Sequence, residues 1–414
     1  MLETVTSVAG GNDQLEAVCG RRLAVAEPQV EALPPRLVDD ERARTSDVVP
    51  GKKSLCSFGR LVRSPAIWAF VLVHLLALKG VVEIGSNVPG RVLLLGLVTY
   101  LVRMLGITIG YHRYFSHRSF KTSRVFQFAL AWIGASSCQK GVLWWASWHR
   151  HHHQHADSEE DAHSPVQLGF WWSHLGWFLL SDDHSDVLVT LVPDLLQYPE
   201  LVWLEKWHLL PGTLLAVVCY FGLGGYKAFV YGFLVSTVML WHATFTINSL
   251  SHIYGSRRFV CEFHGDCNAR NNIWLALITL GEGWHNNHHS FMGSARQGFY
   301  WYEFDPSYWF IRFLALMGIV RKIREPPMEQ LERKRLPATC RKLNVCSCAA
   351  RRLCTEASRQ PKSVNEGRSP ALESTENDAL VQALHVLRAA SEWKPPVAPG
   401  LSQIVGISWS EQTP

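Results

Sequence analysis

Little of this chain is charged, and nothing in it is spaced for a nucleotide cofactor. Asp, Glu, Lys and Arg make up 18% of 414 residues and are spread unevenly, which argues against the two or three soluble domains that length alone suggests. The net charge of +5 is modest and leaves no footprint for nucleic acid. No GxGxxG follows a strand-like run, which excludes the usual flavin or nicotinamide fingerprint. No HPGG segment of the kind that binds haem occurs. The ten cysteines lack a disulfide-framework spacing. Their only cluster, Cys340, Cys346, Cys348 and Cys354, has no CxxC pair, so reduced thiols on the cytosolic side are expected there rather than a metal site. Residues 1–55 have no apolar core behind a basic start, so no secretory signal is expected. Internal repeats are absent.

What the chain does hold is apolar length. Nearly half its residues are hydrophobic and 17 are Trp, with the apolar runs in the middle and polar ends. Stretches at about 66–82, 92–109, 209–222 and 226–247 stand out, the second interrupted by Arg103. A bilayer crossing needs about 20 mostly apolar residues, so three qualify and 209–222 is short. A further apolar piece, 125–136, is expected to lie in the interface or against the bundle. If all four long stretches span, two crossings separate the 112–163 region from 285–289, and both face one side of the membrane. The expected division is a mobile tail over 1–60, a membrane domain over 61–326, and a polar, basic, disordered tail over 327–414 with one amphipathic candidate helix at 378–393. Arg321, Lys322, Arg324, Arg333, Lys334, Arg335, Arg341, Lys342, Arg351 and Arg352 follow the last apolar segment, a pattern that suits the positive-inside rule and anionic lipid.

The 19 histidines carry the functional argument. His112 and His117 stand in HRYFSH (112–117), His149, His152 and His153 in HRHHH (149–153), and His285, His288 and His289 in HNNHH (285–289). The last two groups share the spacing i, i+3, i+4, which stacks three rings on one helical face and turns His151 away from it. His252 follows the fourth apolar stretch, with Asn248 one helical turn before it. Nine imidazoles are too many for one ion and suit two, and imidazole fits iron, zinc or copper. Asp157, Glu159, Glu160, Asp161 and Glu282 are placed to balance the charge and orient the rings. His74, His208, His264 and His385 are expected to be structural. The Glu-x-x-His pairs Glu160/His163 and Glu282/His285 match the ligand motif of soluble carboxylate-bridged two-metal bundles. However, Gly281 and Gly283 flank one and Ser164-Pro165 follows the other, so neither sits inside a long helix.

With their order and spacing, HRYFSH, HRHHH, NSLSH (248–252) and GEGWHNNHH (281–289) resemble the boxes of the membrane-bound fatty-acid desaturases, in particular the Δ9 acyl desaturases. The resemblance covers about residues 64–325. It implies an all-α integral membrane protein with four transmembrane helices and a cytosolic helical cap carrying a di-iron site. It also implies that His112, His117, His149, His152, His153, His252, His285, His288 and His289 hold two Fe2+ ions, with Asn248 reaching one through water. Gln139, Trp145 and Thr244 match the positions that bend the acyl chain in that family. Ser147-Trp148 and Lys140 replace an Arg-Asp pair and an Asn that touch the CoA head group in the animal branch. The carrier therefore stays open between CoA, lipid and carrier protein.

The implied reaction takes one saturated acyl chain, O2 and two electrons to a cis double bond, at Δ9, and water. Electrons would come from a separate ferredoxin- or cytochrome b5-type partner. Hydroxylation of lipids or alkanes, which uses similar boxes, is the alternative within the enzyme class. A haem electron carrier would need facing histidine pairs inside the spans, and a metal transporter would need ionisable residues along a mid-membrane path, where only Arg103 stands.

Overall fold

The computed structural model describes residues 64–181, 184–261 and 267–336. The expected N-terminal tail, the 378–393 helix, the Cys340–Cys354 cluster, His264 and His385 lie outside those residues.

Pro65 at the first helical position starts helix α1 (Pro65–Ile84), and Gly85, at φ 58°, ends it. Helix α2 (Gly90–Leu105) follows and runs without a break into a π-helical segment, Gly106–Ser116. Both present leucines and valines outward, with Leu75 58% and Leu78 62% exposed, a surface that hydrocarbon stabilises and water does not. Three helical segments are long and apolar enough to cross a bilayer: Pro65–Ile84, Gly90–Ser116 and Gly225–His252. Helices α5 (Pro199–Lys206) and α6 (Leu210–Val217, extended to Gly222) are a fourth candidate only as one span bent by 65°. The bend falls just before Pro211, which cannot donate a helical hydrogen bond. Gly225–His252 is built from α7 (Gly225–Phe229), a π segment, α8 (Ser236–Asn248) and a closing 3-10 turn, Leu250–His252.

Arg103, the charge inside the second apolar stretch, is buried and satisfied by neighbouring helices. It donates to Thr237 Oγ1 at 2.7 Å, Ser236 Oγ at 2.5 Å and Thr99 O at 3.1 Å. It is a polar tie between spans rather than a step on an ion path.

The 125–136 piece forms α3 (Arg124–Ala135), capped by Ser123, whose Oγ accepts from Phe126 N. It lies across the π-helical segment at close range. A Cβ added to Gly106 would sit 2.8 Å from Gly134 N, and one on Gly134 would meet the Tyr111 ring at 2.3 Å. Helix α4 (Val142–His155) carries the HRHHH run, α9 (Ile273–Ile278) precedes the last box, and α10 (His285–Ser290) holds it. Helix α11 (Pro306–Leu316) leads into an antiparallel pair joining Lys121–Thr122 to Val320–Arg321. Met328–Arg333 is helical, and residues 334–336 pair back onto 258–260. The chain therefore stays folded past 326, where the polar composition suggested a disordered tail, because Leu331 and Leu336 have apolar surface to bury.

Candidate metal centre

Four elements converge at the ends of the apolar helices. The π segment brings His112 and ends at His117; α4 brings His149, His152 and His153; the 3-10 turn brings His252; α10 brings His285, His288 and His289. Their ring nitrogens gather into two groups: His112, His117, His149, His153 and His288 in one, His152, His252, His285 and His289 in the other. Helical geometry explains the division. At 100° per residue, i+4 returns to within about 40° of i, whereas i+3 falls about 60° to the other side. The i, i+4 pairs thus share a group and the i+3 ring crosses over: His152 leaves α4 for the second group, and His288 leaves α10 for the first.

Within the first group the Nε2 atoms lie 2.8 Å (His117–His149), 3.0 Å (His149–His153), 2.9 Å (His153–His288) and 3.0 Å (His288–His112) apart. In the second, His285 Nε2 is 3.0 Å from both His252 and His289. Nitrogens about 2.1 Å from a common ion are about 3.0 Å apart at a right angle and about 3.4 Å apart at the tetrahedral angle. The spacings fit five- or six-coordinate cations better than a tetrahedral site. Crowded imidazole nitrogens repel one another unless a cation lies between them, so the donor set fits a pair of metal ions.

The outer ring nitrogens are held so that the inner ones stay free. Glu282 Oε2 lies 2.5 Å from His112 Nδ1, Asp161 lies 3.0 Å from His152 Nδ1, and Asp157 lies 2.9 Å from His252 Nδ1. These are carboxylate–histidine pairs of the kind that fix tautomer and ring orientation at metal sites. Asp157 sits in the left-handed region at φ 61° and also accepts from Ser164 Oγ and Asn268 N. Burial, then mutual repulsion, pushes His117, His149, His153, His285, His288 and His289 well below the usual histidine value, leaving them neutral. Burial alone would raise Asp157, Asp161 and Glu282; the histidines beside them hold all three below the ordinary carboxylate range. Glu159 and Glu160 are exposed, and Glu160 pairs with His155 instead.

His151 is absent from both groups and packs against Trp148 and His155. His74 bonds Phe70 O and His242, and His208 bonds Glu205 O. Two residues have parts the sequence reading did not assign: His163, read there only as half of a Glu-x-x-His pair, and Arg150. Buried His163 stacks on His152 at 4.4 Å and groups with it and Asp161. Arg150, inside HRHHH, donates to Phe115 O, Ser116 O, Leu191 O and both oxygens of Asp194. It clamps the end of the π segment to α4, which sets His117 against His149. The arginine between histidines was the available signal.

A cavity of about 320 Å³ opens beside the first group, lined by Gln139, Trp145, His149, Thr244 and Asn248 among apolar residues. Gln139 Nε2 donates to Thr244 Oγ1 at 3.1 Å, and the Trp145 ring stacks on His149 at 4.9 Å.

The fold and the site define a helical, membrane-type protein with histidine clusters able to hold metal. Residues 89–323 match the Fatty acid desaturase family, and the chain belongs to it. It is 38% identical over 238 residues to an sn-2 palmitoyl-lipid 9-desaturase of Nostoc sp., covering 56% of this chain and 81% of that protein. It is 36% identical over 275 residues to delta-9 acyl-lipid desaturase 1 of Arabidopsis thaliana, covering 64% and 85%. It is 34% identical over 312 residues to an icosanoyl-CoA 5-desaturase of Limnanthes douglasii, covering 74% and 85%. The protein is an oxygen-dependent desaturase, an oxidoreductase of lipid metabolism.

Proposed function

We propose that this chain places a cis double bond at Δ9 of a saturated acyl chain carried on a membrane lipid, using two iron ions held by the nine histidines. The observation that carries this reading is the cavity lined by Gln139, Trp145 and Thr244 next to the five-histidine group. Six-coordinate preference and imidazole donors suit iron, and when bound the irons supply the oxygen activation that unactivated C–H bonds require. The overall change is one –CH2–CH2– unit, O2, two electrons and two protons to –CH=CH– and two waters.

The protein's own part is positioning. An alkyl chain offers no polar handle, so the cavity selects carbons by shape and holds one pair beside the metal centre. The Gln139–Thr244 hydrogen bond and the Trp145 indole form the bend. Asn248, on the cavity wall, would hold a water toward one ion. Lipid as the carrier is favoured by two positions where a CoA-binding branch has charges. Here Ser147 is fully buried, accepting from Leu188 N, and Trp148 donates to Asp186 O. Four spans, with α5 and α6 as the bent one, would place both histidine regions and the C-terminal tail on the cytosolic side, where a ferredoxin- or cytochrome b5-type carrier docks.

Expression in a desaturase-deficient host, with mass spectrometry of intact lipids, tests the reading. The expected result is C9–C10 cis monoenes in glycerolipids, lost in His289→Ala. Hydroxylated chains in their place, or monoenes confined to the acyl-CoA pool, would overturn it.

A further inference from the structure

Among the described ligand candidates, His112, His152 and His252 each give Nδ1 to a carboxylate. His289 does not. Its Nδ1 faces the sulfur of Cys267 at 3.4 Å, while its Nε2 points at His285. Both partners are buried, and the contact links the segment after the 3-10 turn to α10. Since the ring nitrogen facing the metal carries a lone pair, the Nδ1 proton must go to the sulfur, which accepts weakly.

Cys267 is itself held. It packs in one buried cluster with the second thiol, Cys261, whose sulfur receives Asn286 Nδ2 at 3.6 Å and faces Ser290 Oγ at 3.7 Å. Asn286 and Ser290 lie on α10, the helix that carries His289. Both cysteines therefore contact this helix, Cys267 at the candidate ligand and Cys261 at Asn286 and Ser290. Ala156 and Ala269 close the pocket around them and offer no side-chain hydrogen-bonding atom.

We propose that Cys267 is a positioning residue for the metal centre: its sulfur takes the Nδ1 proton of His289 and aims Nε2 at the four-histidine site. This rests on the two-metal reading above. In that site His152 and His252 are backed by anions, and His285 Nδ1 has no hydrogen-bond partner. The neutral thiol gives His289 a softer hold than a carboxylate would. The four-histidine ion is accordingly the one whose affinity depends on this contact, and the five-histidine ion does not.

The test uses the full chain in detergent, stripped of metal with a chelator and titrated with Co2+, whose visible bands report each site as it fills. Wild type should take up two Co2+. Cys267→Ala should weaken one of the two by about 10- to 100-fold, the usual cost of losing such an outer partner, and leave the other unchanged. Cys267→Ser, which keeps a polar acceptor of shorter reach, should recover part of that loss. Cys261→Ala removes the same volume from the same cluster but leaves the His289 contact, so its loss should be much smaller. Equal losses in Cys261→Ala and Cys267→Ala would reduce Cys267 to packing. Two wild-type affinities in Cys267→Ala would also overturn the proposal, as would that result in Cys267→Val, which likewise has no acceptor, should the alanine variant not fold. If the wild-type chain takes up no Co2+, the metal-centre reading fails instead.

Discussion

Glu282 spans two of the boxes: its Oε2 lies 2.5 Å from His112 Nδ1, and its Oε1 accepts from Arg113 Nε at 3.1 Å. The Glu-x-x-His spacing at 282–285 thus serves to orient a ligand from the other end of the sequence. Replacing Glu282 by Gln removes the anion that holds His112. The affinity of the five-histidine site for its metal should fall about tenfold, with the four-histidine site unchanged. Glu160→Gln, at the matching spacing before His163, should change nothing, because Glu160 is exposed and pairs with His155. Equal metal loss in both variants would show that the motif acts as a ligand pair.

Two ions per chain are expected by elemental analysis of the purified protein. His152→Ala and His289→Ala, each removing a donor from the four-histidine group, should both lower bound iron and abolish desaturation. His151→Ala should keep iron and activity, since that ring faces Trp148 and His155. Loss in His151→Ala equal to that in His152→Ala would undo the division into faces.

Arg150 and Asp194 make a pH-dependent prediction. Asp194 is partly buried, which alone would raise its carboxyl, but Arg150 and Arg118 hold it below the usual value. A carboxylate with a depressed folded value contributes stability above its unfolded pKa of about 3.9 and loses it as pH falls through the folded value. Asp194→Asn should therefore lower the melting temperature clearly at pH 7 and progressively less below about pH 4. Arg150→Ala, which strands the Asp194 charge and frees Phe115 O and Ser116 O, should cost on the order of 3 kcal/mol. An Asp194→Asn penalty independent of pH would show that the charge contributes nothing.

How far the sequence could be read depends on which interactions are local. The histidine spacing was legible because a helix repeats every 3.6 residues, and the nine rings singled out from it are the ones the fold gathers into two groups. It did not tell which ring joins which group, since the crossing of His152 and His288 exists only once α4 and α10 face each other. The second apolar stretch was read to 109, where composition turns polar, yet the helix continues as a π segment to Ser116. It can do so because Arg113 finds Glu282 and Asp305, residues far off in the chain. Cys267 was invisible for the same reason: nothing near it in sequence points to His289.

Trp145 offers the sharpest test of the cavity. Its indole stacks on His149 with planes 20° apart and lies 5.9 Å from the Tyr111 ring, so it lines the cavity directly beside the first histidine group. If it forms the bend with Gln139 and Thr244, a smaller side chain removes the wall that stops the acyl chain from sliding. Trp145→Ala should then give a mixture of double-bond positions and a rate lowered by about 100-fold, the cost of losing near-attack positioning. Iron should stay near two per chain, because Trp145 donates nothing to a metal. A role in packing would produce a different pattern, in which expression, melting temperature and iron fall together while the remaining product keeps one double-bond position. Measuring product isomers, iron and yield on the same preparation separates the two. Normal iron, normal rate and an unchanged double-bond position would remove Trp145 from the wall of the acyl site.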